Sequence, residues 1–590
     1  MKTKRRSHLF SLAPAIALLQ LLTPLTRVAE AQNRGQNIPQ RTFAEAIEVR
    51  VVNLEAVVVD KHGKRVTGLA PDDFTLEVDG KQTTIEYFSE ISLGRALETV
   101  QPATGEPARA TPAGIEPGSP VGTSFLLFID SYFTRRATQR NHILERIEES
   151  LQRLGAEDRM AIVAFDGRRI DVLESWAPPG PKLSRALARA RELPARGFIT
   201  DQLAGELDRE SALETAISAA AAEQEAFGGD GGDSANVPDT AVAVREDGQP
   251  ADICVSIKRL EHRLERAVLG VASTLRSFAR PPGRKIMMIL SGGWPQSAKD
   301  YLVGTMTPFA ARDCPDEGPR LYEPIYSTAN LLGYTLYPID IPPPAHSSVN
   351  AAASGAELFA NAENTTAPVG GEVQFVRQHE THATLLTLAD QTGGEAMIDA
   401  ANLSAFDRVV EDTRSYYWLG FTPVWKGDNK NHKIKLKVPK PGLEVRTRAS
   451  FQDLSRQKEV SFVTESALLF GDLPGSTPLG LELGPLPKKG RGRLTLPVQL
   501  SIPMDEITML PDGQRYVAQL ELRIGVLDED GNRNDMPVIP VMLDGPEPPP
   551  GAHALYETAI KIRRAPHDIV ISLYDPLGDT ILAATGEFRP

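Results

Sequence analysis

Ser124 to Thr134 reads SFLLFIDSYFT, an unbroken apolar run from Phe125 to Ile129 that ends at Asp130. A short run of this kind, closed by a polar turn, predicts a strand buried on both faces in the middle of a parallel sheet. Open α/β sheets bind their ligands outside the carboxyl ends of such strands. The stretch therefore points both to a fold and to a place to look for a site.

Strands and helices alternate on its C-terminal side. Ile143, Ile147, Leu151 and Leu154 recur at helical spacing, MAIVAF (160–165) reads as a strand, and the turn Asp166-Gly167 leads to another at Ile170 to Trp176. A helix is predicted over Lys182 to Leu193. The strongest helical period runs from Ser256 to Arg280, with Leu260, Leu264, Val268, Val271, Leu275 and Phe278 on one face. It feeds the strand IMMIL (286–290) and the turn Ser291-Gly292-Gly293-Trp294. Strand TLYPID (335–340), a helix through Leu385 to Ala389, strand EAMI (395–398) and a helix over Leu403 to Thr413 follow. This order predicts an α/β fold class, a doubly wound parallel sheet over residues 123–415, with long loops at 228–250 and 342–371.

The flanks read as β structure. Residues 46–91 alternate in the manner of strands, with Asp79-Gly80 as a hairpin signal, and residues 416–451 do the same. Each segment alone has too few strands for a two-sheet core. Together they are predicted to form one discontinuous β-sandwich unit into which the α/β domain is inserted. Residues 459–590 carry LTLPVQLSI, YVAQLELRIGVLDEDG and HDIVISLYDPLGD between Gly/Pro/Asp turns, which predicts a C-terminal all-β sandwich.

At the N-terminus, Lys2, Lys4, Arg5 and Arg6 precede an apolar stretch that ends in Ala29-Glu30-Ala31, the pattern of a secretory signal peptide over residues 1–31. Pro14 and Pro24 interrupt that stretch, which argues against a retained anchor, and no later segment reaches the roughly 20 apolar residues a spanning helix needs. The expected location is secreted or periplasmic, with no stable membrane anchor after signal cleavage. A net charge of -13 argues against a nucleic-acid partner. Two cysteines exclude a disulfide-dense scaffold and a cysteine zinc site. In a parallel sheet the start of the Ser256 helix and the loop leaving strand 286–290 lie at the same rim, so Cys254 and Cys314 are predicted to form a disulfide.

The segments VVVDKHGKRVTGLAPDDFTLEVDGKQTTIEYF, FLLFIDSYFT, GRKIMMILSGGWP, TLYPID and LADQTGGEAMIDAANLSAFDRVVEDTRSYYWLGFTP occur in this order, followed by HKIKLKVPKPGLEVRTRASF. Over about residues 47 to 451 the chain thereby resembles von Willebrand factor A (vWA)-related proteins, described mainly from acidobacterial genomes. The resemblance implies a vWA/Rossmann-like domain whose strand-end loops hold a divalent cation, usually Mg²⁺. In that pattern an Asp and two hydroxyls come from the first loop, a Thr from a second, and an Asp follows the fourth strand. Asp130 matches the first ligand and Thr134 replaces one hydroxyl, but Tyr132 stands where a Ser is expected. The fourth-strand motif reads Leu290-Ser291-Gly292-Gly293, without its Asp. Thr200 is the only Thr suited to the second loop, and Asp340 is the nearest substitute carboxylate. A hard cation wants several oxygen ligands, so this is a degenerate metal site made of Asp130, Thr134, Thr200 and Asp340. The competing structural reading has Asp130 capping a neighbouring turn and Asp340 initiating a Pro-rich loop.

His379-Glu380-Thr381-His382 lacks the spacing that sets two zinc-binding histidines on one helix face, and no Gly-x-Ser-x-Gly elbow surrounds Ser131 or Ser291. No catalytic residue and no cofactor are assigned, with Mg²⁺ at the eroded site as the alternative. The leading expectation is an exported, non-enzymatic protein that binds a protein partner, or mediates adhesion, at the upper rim of the sheet through Tyr132, Phe133 and Trp294. The alternatives are an extracytoplasmic metal-dependent hydrolase and an inert structural module of an envelope assembly.

Overall fold

A computed structural model of the 590-residue chain describes residues 51–100, 119–197, 253–279, 283–303, 313–341, 369–398, 404–471, 473, 476–484, 493–529 and 531–590. The signal segment, Thr200, the loop 228–250 and most of 342–371 lie outside the described residues.

The first strands are β1 (Val52–Asp60), β2 (Thr75–Val78), β3 (Lys81–Thr83), β4 (Tyr87–Ser92) and β5 (Arg95–Val100). Asp79 and Gly80 between β2 and β3 both have positive φ, 49° and 77°, the backbone that a two-residue hairpin turn requires. The chain then builds a layered unit from β6 (Thr123–Asp130), α1 (Ala137–Ser150), β7 (Arg159–Phe165), β8 (Ile170–Ala177), α2 (Pro181–Glu192), α3 (Ile253–Ser277) and β9 (Arg284–Ser291). It is completed by α4 (Ala298–Val303), α5 (Glu323–Leu332), β10 (Tyr334–Asp340), α6 (Val369–Thr392) and α7 (Ala405–Thr413). Its sheet has the order β10-β9-β6-β7-β8, and every residue of β6 is buried. Side chains alternate across a strand, so Phe125, Leu127 and Ile129 pack with Ile143, Leu183 and Phe406 on one face. Leu126 and Phe128 pack with Leu264, Ile325 and Leu388 on the other.

The chain returns to strands in β11 (Tyr416–Phe421), β12 (Lys430–Lys437), β13 (Leu443–Arg446) and β14 (Ser450–Asp453). β11 lies antiparallel between β1 and β4, which sets Leu419 opposite both Leu54 and Phe88. The resulting sheets, β13-β1-β11-β4-β5 and β14-β12-β2-β3, enclose a core of Leu54, Phe74, Leu76, Phe88, Leu419 and Leu436. Arg284, buried in β9, reaches Glu55 of β1 at 3.2 Å and donates to the Thr413 carbonyl, so a charge pair stitches this unit to the layered one.

A helix follows that the sequence pattern did not announce, α8 (Arg456–Phe470). Ser455 caps its start by accepting from Lys458 N–H, and Gly471 ends it with φ 85°. Its Leu468 and Leu469 join the cluster beneath α3 together with Leu527 and Val570. The remaining strands are β15 (Thr477–Pro478), β16 (Gly480–Leu483), β17 (Arg493–Pro503), β18 (Leu510–Asp512), β19 (Arg515–Asp528), β20 (Ile539–Gly545), β21 (His553–Arg563), β22 (His567–Asp575) and β23 (Thr580–Phe588). They form the sheet β15-β23-β22-β19-β18, with β20 also on β19, and the sheet β16-β17-β21. The inward positions of these strands are filled by Leu496, Val498, Leu520, Leu522, Ile571 and Leu573.

The strand pairing corrects the expected fold class. The described strands form five separate sheets paired mostly antiparallel, and the described residues are predominantly β rather than a doubly wound parallel α/β protein. Among the described residues, parallel ladders are confined to β10-β9-β6-β7 and the two-residue contact of β15 with β23. Even in the layered unit β8 runs antiparallel to β7, because a turn at Asp166 to Arg169 is too short for a parallel crossover. The expected strand EAMI is reduced to a single bridge, Met397 to Ile339.

Candidate functional site

Asp130 ends β6, where the apolar run stops and the chain must turn. Its carboxylate is fully buried and surrounded by donors. Oδ1 accepts the backbone N–H groups of Tyr132 and Phe133, each at 3.0 Å, so it caps its own turn. Oδ2 accepts the Ser291 hydroxyl and the Trp294 indole N–H, each at 2.7 Å. An ionised carboxylate offers about four acceptor positions, and all are used. Burial pushes the carboxyl above its ordinary pKa, with the bonds from Ser291, Phe133, Trp294 and Tyr132 pulling the other way.

The loop after Asp130 is held on both sides. Arg196 N–H donates to the Ser131 carbonyl and Gly197 N–H to that of Thr134. A Cβ on Gly292 would stand 2.3 Å from the Phe133 carbonyl oxygen, so only glycine lets the turn after β9 come this close. Gly167 has φ 97° and a Cβ there would run into the Tyr132 ring at 2.3 Å. The arrangement is a plug at the strand ends.

The structure moves each predicted partner-binding residue inward. Tyr132, Phe133 and Trp294 are all buried, which corrects their assignment as surface anchors. Tyr132 and Phe133 turn down onto α3, where the Arg263 guanidinium lies 4.1 Å from the Tyr132 ring centre and 5.3 Å from that of Phe133. Arg266 adds a bond to the Tyr132 hydroxyl at 3.4 Å. Trp294 stacks on Tyr322 with ring centres 6.5 Å apart while its N–H serves Asp130. An indole whose only polar atom has a buried partner gains by leaving solvent.

The predicted metal ligands are likewise engaged by protein groups. The Thr134 hydroxyl donates to the Asp130 backbone carbonyl at 2.5 Å rather than pointing an oxygen at a shared centre. Asp340, at the end of β10, faces His382 of α6, Oδ2 to Nε2 3.6 Å. Thr200 lies outside the described residues. In the ligand set Asp130, Thr134 and Asp340 the first carboxylate is saturated by protein donors, which a cation would have to displace. A different group of donors, Asp428, His432 and Asp453, has ligand atoms within 4.8 Å of one another. These too are engaged, since Asp453 accepts the N–H groups of Lys426 and Gly427, Asp428 that of Lys430, and His432 Nδ1 lies 2.8 Å from Asp79.

Cys254, in the first turn of α3, and Cys314 are joined in a disulfide with Cα atoms 5.3 Å apart. The residues of His379 to His382 go separate ways. Glu380 accepts Ser297 N–H at 2.8 Å, His382 faces Asp340, and His379 stacks on Phe375 with ring centres 6.4 Å apart. Phe375 is 70% exposed, and α6 lies against the turn after β9 through Glu380 and against α4 through Arg377, which donates to the Tyr301 carbonyl. An exposed aromatic pair thus lies on the helix that packs against the turn after β9. Sequence reading missed it, because an apolar residue at the start of a helix carries no sign of which face meets solvent.

No family model and no curated protein matches the chain. Solved structures with some likeness include a β-glucuronidase of Bacteroides uniformis, 11% identical over 30% of this chain and 19% of that one, TM-score 0.14. The pilus adhesin SpaC of Lactobacillus rhamnosus GG is 9% identical over 79% of this chain and 56% of its own, TM-score 0.22. The N-terminal domain of TFIIH p34 is 11% identical over 49% and 97%, TM-score 0.16. The chain spans about a fifth of the length of the first and little more than half of the second. At these TM-scores none of the three decides fold or function.

Proposed function

We propose that this is an exported, non-enzymatic protein that binds a protein partner at the strand-end pole of its layered unit without the help of a cation. The observation that carries the reading is the saturated Asp130. Its oxygens hold Tyr132, Phe133, Ser291 and Trp294, so the pole has a rigid floor in which the Asp130 carboxylate keeps no open coordination position. The contact surface is what borders that floor, above all Phe375 and His379 on α6, because exposed aromatic rings supply large contact area at interface centres. The signal-like N-terminus and the sequence resemblance support export and a binding role.

The test is capture from envelope extract on the immobilised chain, in parallel with EDTA and with Mg²⁺. The same partner should be retained in both, and Phe375→Ala should weaken its binding about tenfold or more. Capture that appears only with Mg²⁺, or stoichiometric metal in the purified chain together with hydrolytic activity, would defeat the proposal in favour of a metal-dependent hydrolase.

A further inference from the structure

β21 pairs with β17 along its whole length, from Arg563 opposite Arg493 to His553 opposite Pro503, and β17 has β16 on its other side. Among the described residues no strand covers the far edge of β21. Several other edges among the described residues are protected in ordinary ways: β3 and β18 are three residues long, β20 carries Pro540, and β8 meets β7 through register shifts. β21 has eleven residues, without proline or glycine, in unbroken register.

Its free hydrogen-bonding groups can be assigned. Pro497, opposite Ala559, directs its carbonyl to Gly484 N–H at 2.9 Å, on the β16 side. In an antiparallel ladder a residue's N–H and C=O point the same way, so Pro497 and Ala559 exchange no bonds and the groups of Ala559 point out of the sheet. By alternation the same holds for Leu555, Glu557, Lys561 and Arg563. The side chains of these residues are all exposed on the outer face, Leu555 to 58%, whereas Ala554 and Ile562 are buried against the sandwich core.

We propose that two copies of this chain associate edge to edge through β21, antiparallel, about a two-fold axis at Ala559. In that register Glu557 of each copy faces Lys561 of the other, Leu555 lies along the stem of Arg563, and the small Ala559 meets itself. Each of these facing pairs exchanges two backbone hydrogen bonds. On the inner face Tyr556 meets Ile562 and Thr558 meets Ile560, which continues the apolar layer. Centring the pair on Thr558 instead opposes Lys561 to Leu555 and Glu557 to Ala559, with no charge match. Centring it on Ile560 pairs Glu557 with Arg563 but shortens the overlap. Glu557 accepts from Gln499 at 3.1 Å through Oε1, and Lys561 has no ion pair among the described residues.

Sedimentation velocity on the purified chain over the micromolar range tests this. The unsubstituted chain should dimerise. Glu557→Lys and Lys561→Glu should each weaken the dimer at least about tenfold, because like charges then face each other. An equimolar mixture of the two variants should recover it, since two lysines on one copy meet two glutamates on the other. Both side chains are exposed, and unchanged thermal melting of each variant would show that the fold is intact. A chain that stays monomeric, a dimer indifferent to both reversals, or a mixture that fails to recover it would overturn the proposal.

Discussion

At the residue scale, Asp130 and Trp294 are structural partners, and their substitutions should be felt as loss of stability. Asp130→Ala leaves two side-chain and two backbone donors buried without an acceptor, which should cost about 3 kcal/mol or more in urea unfolding. Trp294→Ala adds a cavity to a lost hydrogen bond and should cost about 3 to 5 kcal/mol. Phe375→Ala should leave the unfolding midpoint unchanged, because the ring is mostly in solvent. If Trp294→Ala leaves stability untouched, the strand-end plug is wrong. The sequence marked both Asp130 and the turn bearing Trp294. It did not show that they touch, because a contact between residues 164 positions apart depends on β6 and β9 being neighbours in one sheet.

At the element scale, two links decide how the pieces hold. The disulfide spans 60 residues, and closing a loop of that size is worth about 4 kcal/mol in the chain-entropy account. Reduction with dithiothreitol, or Cys254→Ser, should lower the urea midpoint accordingly, and no shift on reduction would contradict this. The second link is the buried pair of Arg284 with Glu55, whose 3.2 Å approach is a charge contact more than an aligned hydrogen bond. Glu55→Gln leaves a buried guanidinium uncompensated and should destabilise by about 3 to 5 kcal/mol. Helix α8 shows what pattern reading loses. Ser455 and Gly471 are good end signals, but the apolar residues between them, Val460, Ala467, Leu468 and Leu469, serve contacts on more than one side and leave little helical period to see.

At the scale of the whole molecule, the C-terminal sandwich docks on the layered unit through Asp568. Arg168 and Arg169, in the turn between β7 and β8, reach its Oδ2 at 3.0 and 2.6 Å, and Arg589 reaches Oδ1 at 3.2 Å. Burial raises the Asp568 pKa, but the Arg169 bond and charge, with Arg589 and Arg168, outweigh it and leave the carboxyl below its ordinary value. A carboxyl depressed in the folded state contributes stability that is present above the unfolded pKa of about 3.9 and is lost as pH falls through the folded one. Acidification below about pH 4 should therefore loosen the docked sandwich, read as faster proteolysis at the α8 region and a falling urea midpoint. Asp568→Asn should be less stable at pH 7 and should lose part of this acid sensitivity. An unchanged acid profile in that variant would show that the arginine cluster does not hold the units together.

What the sequence determined by itself was local. The run Phe125 to Ile129 lies in a buried strand, the period from Leu260 to Leu275 lies on one face of α3, and Asp79-Gly80 makes its hairpin, because periodicity and turn chemistry act between near neighbours. Tertiary structure alone decided the rest. Whether a strand end is a site or a plug depends on which side chains arrive from elsewhere: Ser291 and Trp294 fill the acceptor positions of Asp130 Oδ2, and Arg263 packs over the rings of Tyr132 and Phe133. The balance of sheets was equally hidden, since an apolar run fits a parallel or an antiparallel partner, and only the length of the intervening chain and the packing of both faces choose between them.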